Sequence, residues 1–468
     1  MPWGSVKSAP GFTSPMPEAR KPSGLEKAST VLAPTLNTLV FIMIARDLGA
    51  DALGSVALFI SLGACISLPF DLSLAWGGYG GRSARAALHL SFMAAGLVMA
   101  FAGWLAMGCG CALSLGLFAA YHGASSAALA VSRDGGHASS AGLADSVARI
   151  ALLSVLLSGY FDTATPWIAV SFAVGGLAAL AVAAARPASL SASSARSEFA
   201  SAQGGALAFA IVVGLLAWAD KPLLWLLDGE TSLGFYFAVQ RTVVFIGAAG
   251  IIITGMVSGR FSALTRLEGT RLVTLMERYA SLCVVPMTAF YLAFSEPMVE
   301  TFFGAAYAPH HELVYPLAAA GLFMALAAPS VTWSAGGSCW GMLTAAGVAS
   351  LAALIAVPMA ILWGTNDVDI SFAVAVGCLA ASTIFYALVR TGPAGEGAGF
   401  HPHLPRHIAC AGMMATILFW LSGSFASIGF GELVALAIFG VLLYGLLLYL
   451  FAEFMQGEWG EFKNLRGV

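Results

Sequence analysis

The sequence predicts an all-α, polytopic membrane protein of about fourteen transmembrane helices, laid out as two pseudo-symmetric six-helix lobes followed by two C-terminal helices. Three observations predict it. Of 468 residues, 59% are hydrophobic and only 10% carry a charge, whereas an average soluble domain is roughly a quarter charged. Mean hydropathy is +0.86, and the apolar residues run unbroken over helix length, as in 205–227 and 433–451, instead of alternating as in barrel strands. Finally, the basic residues fall almost wholly on one side of the alternation that fourteen helices impose.

A hydrocarbon core about 30 Å thick asks for about 20 apolar residues per helix. Runs that meet this are 25–45, 51–77, 86–107, 110–131, 141–160, 165–185, 205–227, 232–256, 279–297, 312–330, 340–363, 369–389, 408–426 and 431–454. The first starts too late and extends too far for a cleaved signal, so it is read as retained. With both ends cytoplasmic, the inside segments collect Lys7, Arg20, Lys21, Lys27, Arg82, Arg85, Arg133, Arg186, Arg196, Arg260, Arg266, Arg271, Arg278, Arg390, Arg406, Lys463 and Arg466, and the outside ones only Arg46. Dropping an early helix would invert every later loop, so the charge asymmetry supports the whole register.

A Ser- and Ala-rich stretch, 186–204, reads as a cytoplasmic linker between an N-lobe at 25–185 and a C-lobe at 205–389. A Gly- and Pro-rich stretch, Arg390 to His407, then separates the last helix pair at 408–454. Leu53-Gly54 and Leu233-Gly234 each open the second helix of their lobe after a tight outside turn. Two lobes running in the same sense suggest parallel repeats about an axis along the membrane normal.

Three cations fall inside helices: Arg149 and Arg241 near the midplane and Lys221 in the outer third. Each costs about 2.5 to 3.5 kcal/mol there on insertion scales, so such residues mark a wet cavity or a pathway. Asp145 and Arg149 are four apart on one helix face and can neutralise each other. Asp220 and Lys221 adjoin in sequence but are expected on different faces. Arg241 has no acid within one turn, its nearest local partners being Gln240 and Tyr236, which makes it the strongest hint of an anionic ligand. Asp71 is a further buried carboxylate, two residues after Pro69, and Pro222 follows Asp220 and Lys221; both prolines free a carbonyl one turn back. The seven cysteines lie mostly in apolar runs (Cys65, Cys283, Cys339, Cys378, Cys410) and read as buried thiols. His310 and His311 outside, and His401, His403 and His407 inside, read as solvated loop residues, not metal ligands.

The chain has no phosphate-binding G-x-x-x-x-G-K-[ST] loop, no G-x-S-x-G elbow and no H-E-x-x-H helix, so no enzyme activity and no cofactor are expected and any transport must draw on a gradient. No nucleic acid is expected as a partner.

Residues 45–54, Ala-Arg-Asp-Leu-Gly-Ala-Asp-Ala-Leu-Gly, resemble the first outside turn of polysaccharide transporters, the O-antigen and capsule repeat-unit flippases. Asp71-Leu72-Ser73-Leu74 is similar to their D-L-G-L segment, with Ser73 where Gly is usual. Ala219-Asp220-Lys221 is similar to their A-D-[KR], Leu233-Gly234-Phe235-Tyr236 to their L-G-x-Y with Gln240-Arg241 following, and Phe302-Phe303-Gly304-Ala305-Ala306-Tyr307 to their F-F-G-x-x-Y. The resemblance spans residues 45 to 307. It implies the multidrug/oligosaccharidyl-lipid/polysaccharide exporter fold, with two lobes around a central cavity, in the bacterial inner membrane. It further implies the flipping of an undecaprenyl-pyrophosphate-linked oligosaccharide by alternating access. On that reading Arg149, Lys221 and Arg241 meet the anionic substrate, while Asp71, Asp145 and Asp220 exchange a coupling proton or sodium. Implied partners are membrane lipids, a polysaccharide polymerase and a chain-length regulator. The rivals are a multidrug or small-metabolite antiporter, for which three buried cations are a poor fit, and a lipid II flippase, ranked lower because the first helix carries no internal Arg. A membrane glycan polymerase or ligase would need a long outside loop, which this sequence lacks.

Overall fold

The structure is a computed structural model, and it describes residues 24–76, 164–184, 200–255, 265–336, 339–365, 368–391, 403–423 and 428–451, with parts of 117–124 and 144–151. The helix expected at 86–107 lies outside the described residues, and those at 110–131 and 141–160 are described only in part. Every element among the described residues is helical. This is the all-α polytopic fold that the unbroken apolar runs predict.

Helix α1 (Gly24–Trp76) consists of two helices joined at Gly49, whose φ of 85° and ψ of −177° lie in a region that a side chain disfavours. After α2 (Ala164–Ala184) and α3 (Ala200–Trp218), helix α4 (Asp220–Gly255) repeats the device at Gly229, with φ 86° and ψ −166°. The two junctions thus share a backbone conformation, and we call the face that carries them the upper face. The expected helix 205–227 is only locally disturbed: α3 ends at Trp218 and α4 starts at Asp220, while the Ala219 N–H still donates to the Leu215 carbonyl and the Leu223 N–H to that of Ala219. Pro222 explains the weakness there, since it offers no N–H to the Trp218 carbonyl.

Helix α5 (Arg266–Ala293) begins well before the expected 279. Thr265 caps it, its backbone N–H donating to Glu268 Oε2 at 2.9 Å. Arg266, Arg271 and Arg278, read from sequence as loop cations, are therefore helical. The chain then bends by 83° into α6 (Ser295–Phe303), which lies across the upper face. A 3₁₀ helix (Ala305–Leu313) leads into α7 (Val314–Gly336), followed by α8 (Trp340–Gly364), α9 (Ile370–Thr391), α10 (Leu404–Ser422) and α11 (Phe430–Leu450).

Among the described residues, seven helices are long and apolar enough to cross a membrane, or eight if the bent α5–α6 pair forms one span. Their outward faces carry large apolar side chains, with Trp363 91% and Trp420 78% exposed. Patches of this kind suit hydrocarbon and the membrane interface rather than water. Inside, Phe41, Ile44, Leu53, Phe172, Phe209, Leu233, Tyr236 and Phe237 are fully buried in one cluster that joins α1, α2, α3 and α4. Burying a large apolar side chain stabilises by about 1.5–3 kcal/mol relative to water.

Candidate functional site: a mid-depth cation cluster below a glycine seam

At the upper face the two junctions interlock. A methyl group on Gly54 would overlap the Glu230 carbonyl, and one on Gly234 would overlap the Ala50 carbonyl, so each helix start rests directly on the other junction's backbone. Only glycine permits that approach on both sides. Ser55 Oγ donates to Glu230 Oε2 at 2.8 Å, and the Thr231 hydroxyl donates to the Asp51 carboxylate, 180 residues away. The same separation relates Gly49 to Gly229 and Gly54 to Gly234, so the weak Leu-Gly repeat marks the contact itself. Helix α6 closes the seam from the side. Arg46 Nε donates to the Phe302 carbonyl at 3.0 Å, its Nη2 donates to that of Thr301, and Tyr307 Oη donates to the Ala45 carbonyl at 3.2 Å. Phe235 stacks on His310 with ring centroids 4.1 Å apart, so His310 is not a free loop residue.

About two turns below Gly229 lies the charged cluster. Asp220 and Lys221, each 2% exposed, are not on separate faces as expected: Lys221 Nζ donates to both carboxylate oxygens of Asp220, at 2.8 and 3.0 Å. The long Lys221 side chain reaches back along the helix, its Nζ also 3.5 Å from the Ala217 carbonyl. Tyr236 Oη at 2.7 Å and Gln240 Nε2 at 3.1 Å also donate to Asp220 Oδ2. Tyr236 and Gln240 are therefore partners of the carboxylate and not of Arg241, correcting the local reading. The Cys378 thiol lies 3.3 Å from Tyr236 Oη, extending the network to α9.

Arg149 and Asp145, the pair four residues apart, form a buried ion pair. Gly175 on α2 makes room for it, since a Cβ there would meet Asp145 Oδ1 and, at 2.7 Å, Arg149 Cγ. The guanidinium also lies over the rings of Phe172 at 4.7 Å and Tyr121 at 5.2 Å.

Arg241 stands apart from these pairs. Its guanidinium lies 4.5 Å from the Phe41 ring, 4.3 Å from Phe237 and 6.0 Å from Trp218. It makes no ion pair among the described residues, and its buried Nε has no hydrogen-bond partner. The aromatic rings tie the three cations together. Phe41 meets Phe237 edge-on at 5.1 Å and Phe172 at 6.1 Å, while Trp218 also faces Lys221 Nζ at 4.9 Å. Cation–π contacts contribute about 0.5–2 kcal/mol each but leave net charge unneutralised. Among the described residues the cluster thus holds two ion pairs and one guanidinium, that of Arg241, without an ion-pair partner. Asp71 falls near the end of α1, where the backbone is described but the side chain lies outside the described residues.

Sequence reasoning missed a third buried ion pair. Glu277 on α5 and Arg390 in the last turn of α9 lie 3.0 Å apart and are 1% and 7% exposed at their side chains; Arg390 is thus no loop residue. His407 is likewise on α10, fully buried, with Nδ1 2.7 Å from Ser281 Oγ. No periodicity links residues 277 and 390. The available signal was that Glu277 sits on a helix that buries Val273 and Met276 beside it. Of the cysteines, Cys410 is buried but Cys283 is exposed, facing a groove described below.

No protein-family model matches the chain, and no curated protein matches it. Among solved structures, it resembles a lipid II flippase, MurJ, in an inward closed conformation, with a TM-score of 0.69 at 12% identity over 92% of this chain and 99% of that one. A chain named only protein A follows, with a TM-score of 0.53 at 13% identity over 79% and 94%. An inward-facing multidrug resistance MATE-family transporter gives a TM-score of 0.49 at 12% identity over 79% and 98%. At such identities the likeness to MurJ shows a shared fold.

Proposed function

We propose that the protein is a flippase that moves an undecaprenyl-pyrophosphate-linked oligosaccharide across the bacterial inner membrane by gradient-driven alternating access, for surface polysaccharide export. The observation that carries this reading is Arg241, a guanidinium at mid-depth with aromatic neighbours and no counter-ion among the described residues. A charge held this way stabilises the protein poorly when alone and binds an arriving oxyanion strongly, because the surroundings have a low dielectric. Arg149 and Lys221 stand next to it in ion pairs and become available to an anion when their carboxylates take up a proton. A mostly apolar groove of about 520 Å³, lined by Phe290, Tyr291, Met298, Phe302, Met414 and Leu433 among others, runs between α5, α6, α10 and α11 and suits a lipid chain.

On this reading the interlocked seam is the closed outer gate. Residues 25–185 and 205–389 are the lobes that rock about it, 186–204 is their linker, and 408–454 forms the groove. Both termini are cytoplasmic. Asp145 and Asp220, with Asp71, exchange the coupling ion by releasing their cations toward substrate, and a polymerase and a chain-length regulator receive the product. The test is Arg241→Ala beside Arg241→Lys in cells that depend on this protein. The account expects Ala to abolish surface polysaccharide at unchanged protein level and Lys to rescue in part, since a point charge lacks the planar fork that matches phosphate. Full export by Arg241→Ala contradicts it.

A second reading, a lipid II flippase, is supported by the fold likeness to MurJ over nearly the full length of both chains. Complementation separates the two: the first expects rescue of a strain lacking its repeat-unit flippase, and the second rescue of one depleted of its lipid II flippase.

A further inference from the structure

We propose that Glu277 is a proton-binding site that ties α5, α7 and α9 together in its ionised form and releases them when protonated. This deepens the gradient-driven reading and rests on it. Glu277 is 1% exposed. Its Oε1 accepts from Ser330 Oγ on α7 at 2.9 Å and from Arg390 Nη1 on α9 at 3.0 Å. Its Oε2 also lies 3.0 Å from Arg390 Nη1, so the guanidinium faces both carboxylate oxygens, and Ser334 Oγ, one turn along α7 from Ser330, is buried without a partner. A carboxylate buried this fully, held by one guanidinium and one hydroxyl, is costly to keep ionised and so is a place where a proton can bind.

Protonation would cancel the attraction for Arg390. Arg390 sits in the last turn of α9, where free backbone carbonyls and lipid headgroups accept a guanidinium. Pro329 directly precedes Ser330 and leaves the Ala325 carbonyl without its helical donor, so α7 is softest where Glu277 holds it. Mechanical continuity runs upward from there. Glu277 lies about 25 Å along α5 from the bend at Phe294, and α6 beyond that bend is the element that Arg46 clasps at the seam. A change in the lower tie therefore acts on the outer closure through one continuous helix.

The ionisable groups around Glu277 are few. On α9 they are Arg390 and Tyr386, and Tyr386 lies within electrostatic reach of both members of the pair. Helix α7 presents Ser330 and Ser334 only. Helix α10 brings His407, bonded to Ser281 one turn beyond Glu277, and His403 stacked on it at 6.3 Å. On α5 itself the neighbours are Arg278, Tyr279 and Cys283.

The experiment uses the full chain, its native cysteines replaced, carrying Ser55→Cys and Glu230→Cys as a seam reporter, and reads cross-link yield between about pH 5 and 8 without any glycan. The expected result is a yield that falls several-fold as pH drops, and that is low at every pH in Glu277→Gln. The double variant Glu277→Gln with Arg390→Gln removes both buried charges together and so guards against misfolding; it too should lose the pH response. A wild-type yield that ignores pH overturns the proposal. So does a wild-type pH profile in either Gln variant, or a profile lost in His407→Asn but kept in Glu277→Gln. Because no substrate is present, these outcomes bear on the proton site and leave the choice of substrate to the Arg241 variants.

Discussion

The upper seam and the mid-depth cluster are about two helical turns apart, yet they are held together by opposite means. The seam is built from backbone: glycines at 54 and 234 let two helices touch carbonyl to Cα, and the side-chain bonds around them, such as Ser55 to Glu230, are neutral-to-charged contacts near the surface. The cluster is built from buried charge, with donors converging on Asp220 and Asp145 and one guanidinium left over. A seam made of shape can open and close without stranding charge. A cluster made of charge cannot change its pairing unless another ion takes part, which is what substrate coupling requires.

That contrast sets an order of effects. The largest belongs to Asp220→Ala, which leaves the Lys221 ammonium and the Tyr236 hydroxyl buried without their acceptor. Loss of one member of a buried pair costs about 3–5 kcal/mol, so the detergent-solubilised protein should melt at a clearly lower temperature. A melting temperature within error of the wild type would break the comparison, by showing that the pair is not held in a dry interior. Next comes Gly54→Ala. The added methyl must push the Glu230 backbone away, an overpacking cost of about 1–3 kcal/mol concentrated in the closed form. Faster hydrogen exchange in peptides covering 45–55 and 229–236, with little change elsewhere, is the expected signature. The smallest effect is that of Ser55→Ala, which loses one hydrogen bond worth about 1 kcal/mol; its seam exchange should fall between wild type and Gly54→Ala.

Much of this was legible in sequence, for physical reasons that can be named. Apolar run length gave the helices among the described residues, because a bilayer penalises anything else. The Leu-Gly match was read only as a sign of repeated lobes; that its glycines touch the other junction's backbone, where no Cβ fits, came from the structure. Arg149, Lys221 and Arg241 were recognisable as costly charges, and the structure gathers them around Phe41, Phe172, Phe237 and Trp218. What sequence could not give was partner choice. Asp220 and Lys221 meet because the lysine side chain bends back to its neighbour, which helix periodicity does not reveal. The bend at Phe294 falls where Pro297 offers no N–H to the Ala293 carbonyl, a signal hidden inside the apolar run to 297, and Glu277 finds Arg390 across more than a hundred residues.

The central claim is that Arg241 differs from its neighbours in being an unneutralised charge kept for an anionic lipid-linked substrate. Lys221→Ala and Arg241→Ala, compared side by side, test it most directly. Both purified variants would be melted and then examined by native mass spectrometry with undecaprenyl pyrophosphate as the probe. The account predicts that Lys221→Ala is destabilised, because it strands Asp220. It predicts that Arg241→Ala is as stable as the wild type or more so, and loses the bound lipid. An Arg241→Ala protein that melts early and still retains the lipid would contradict it.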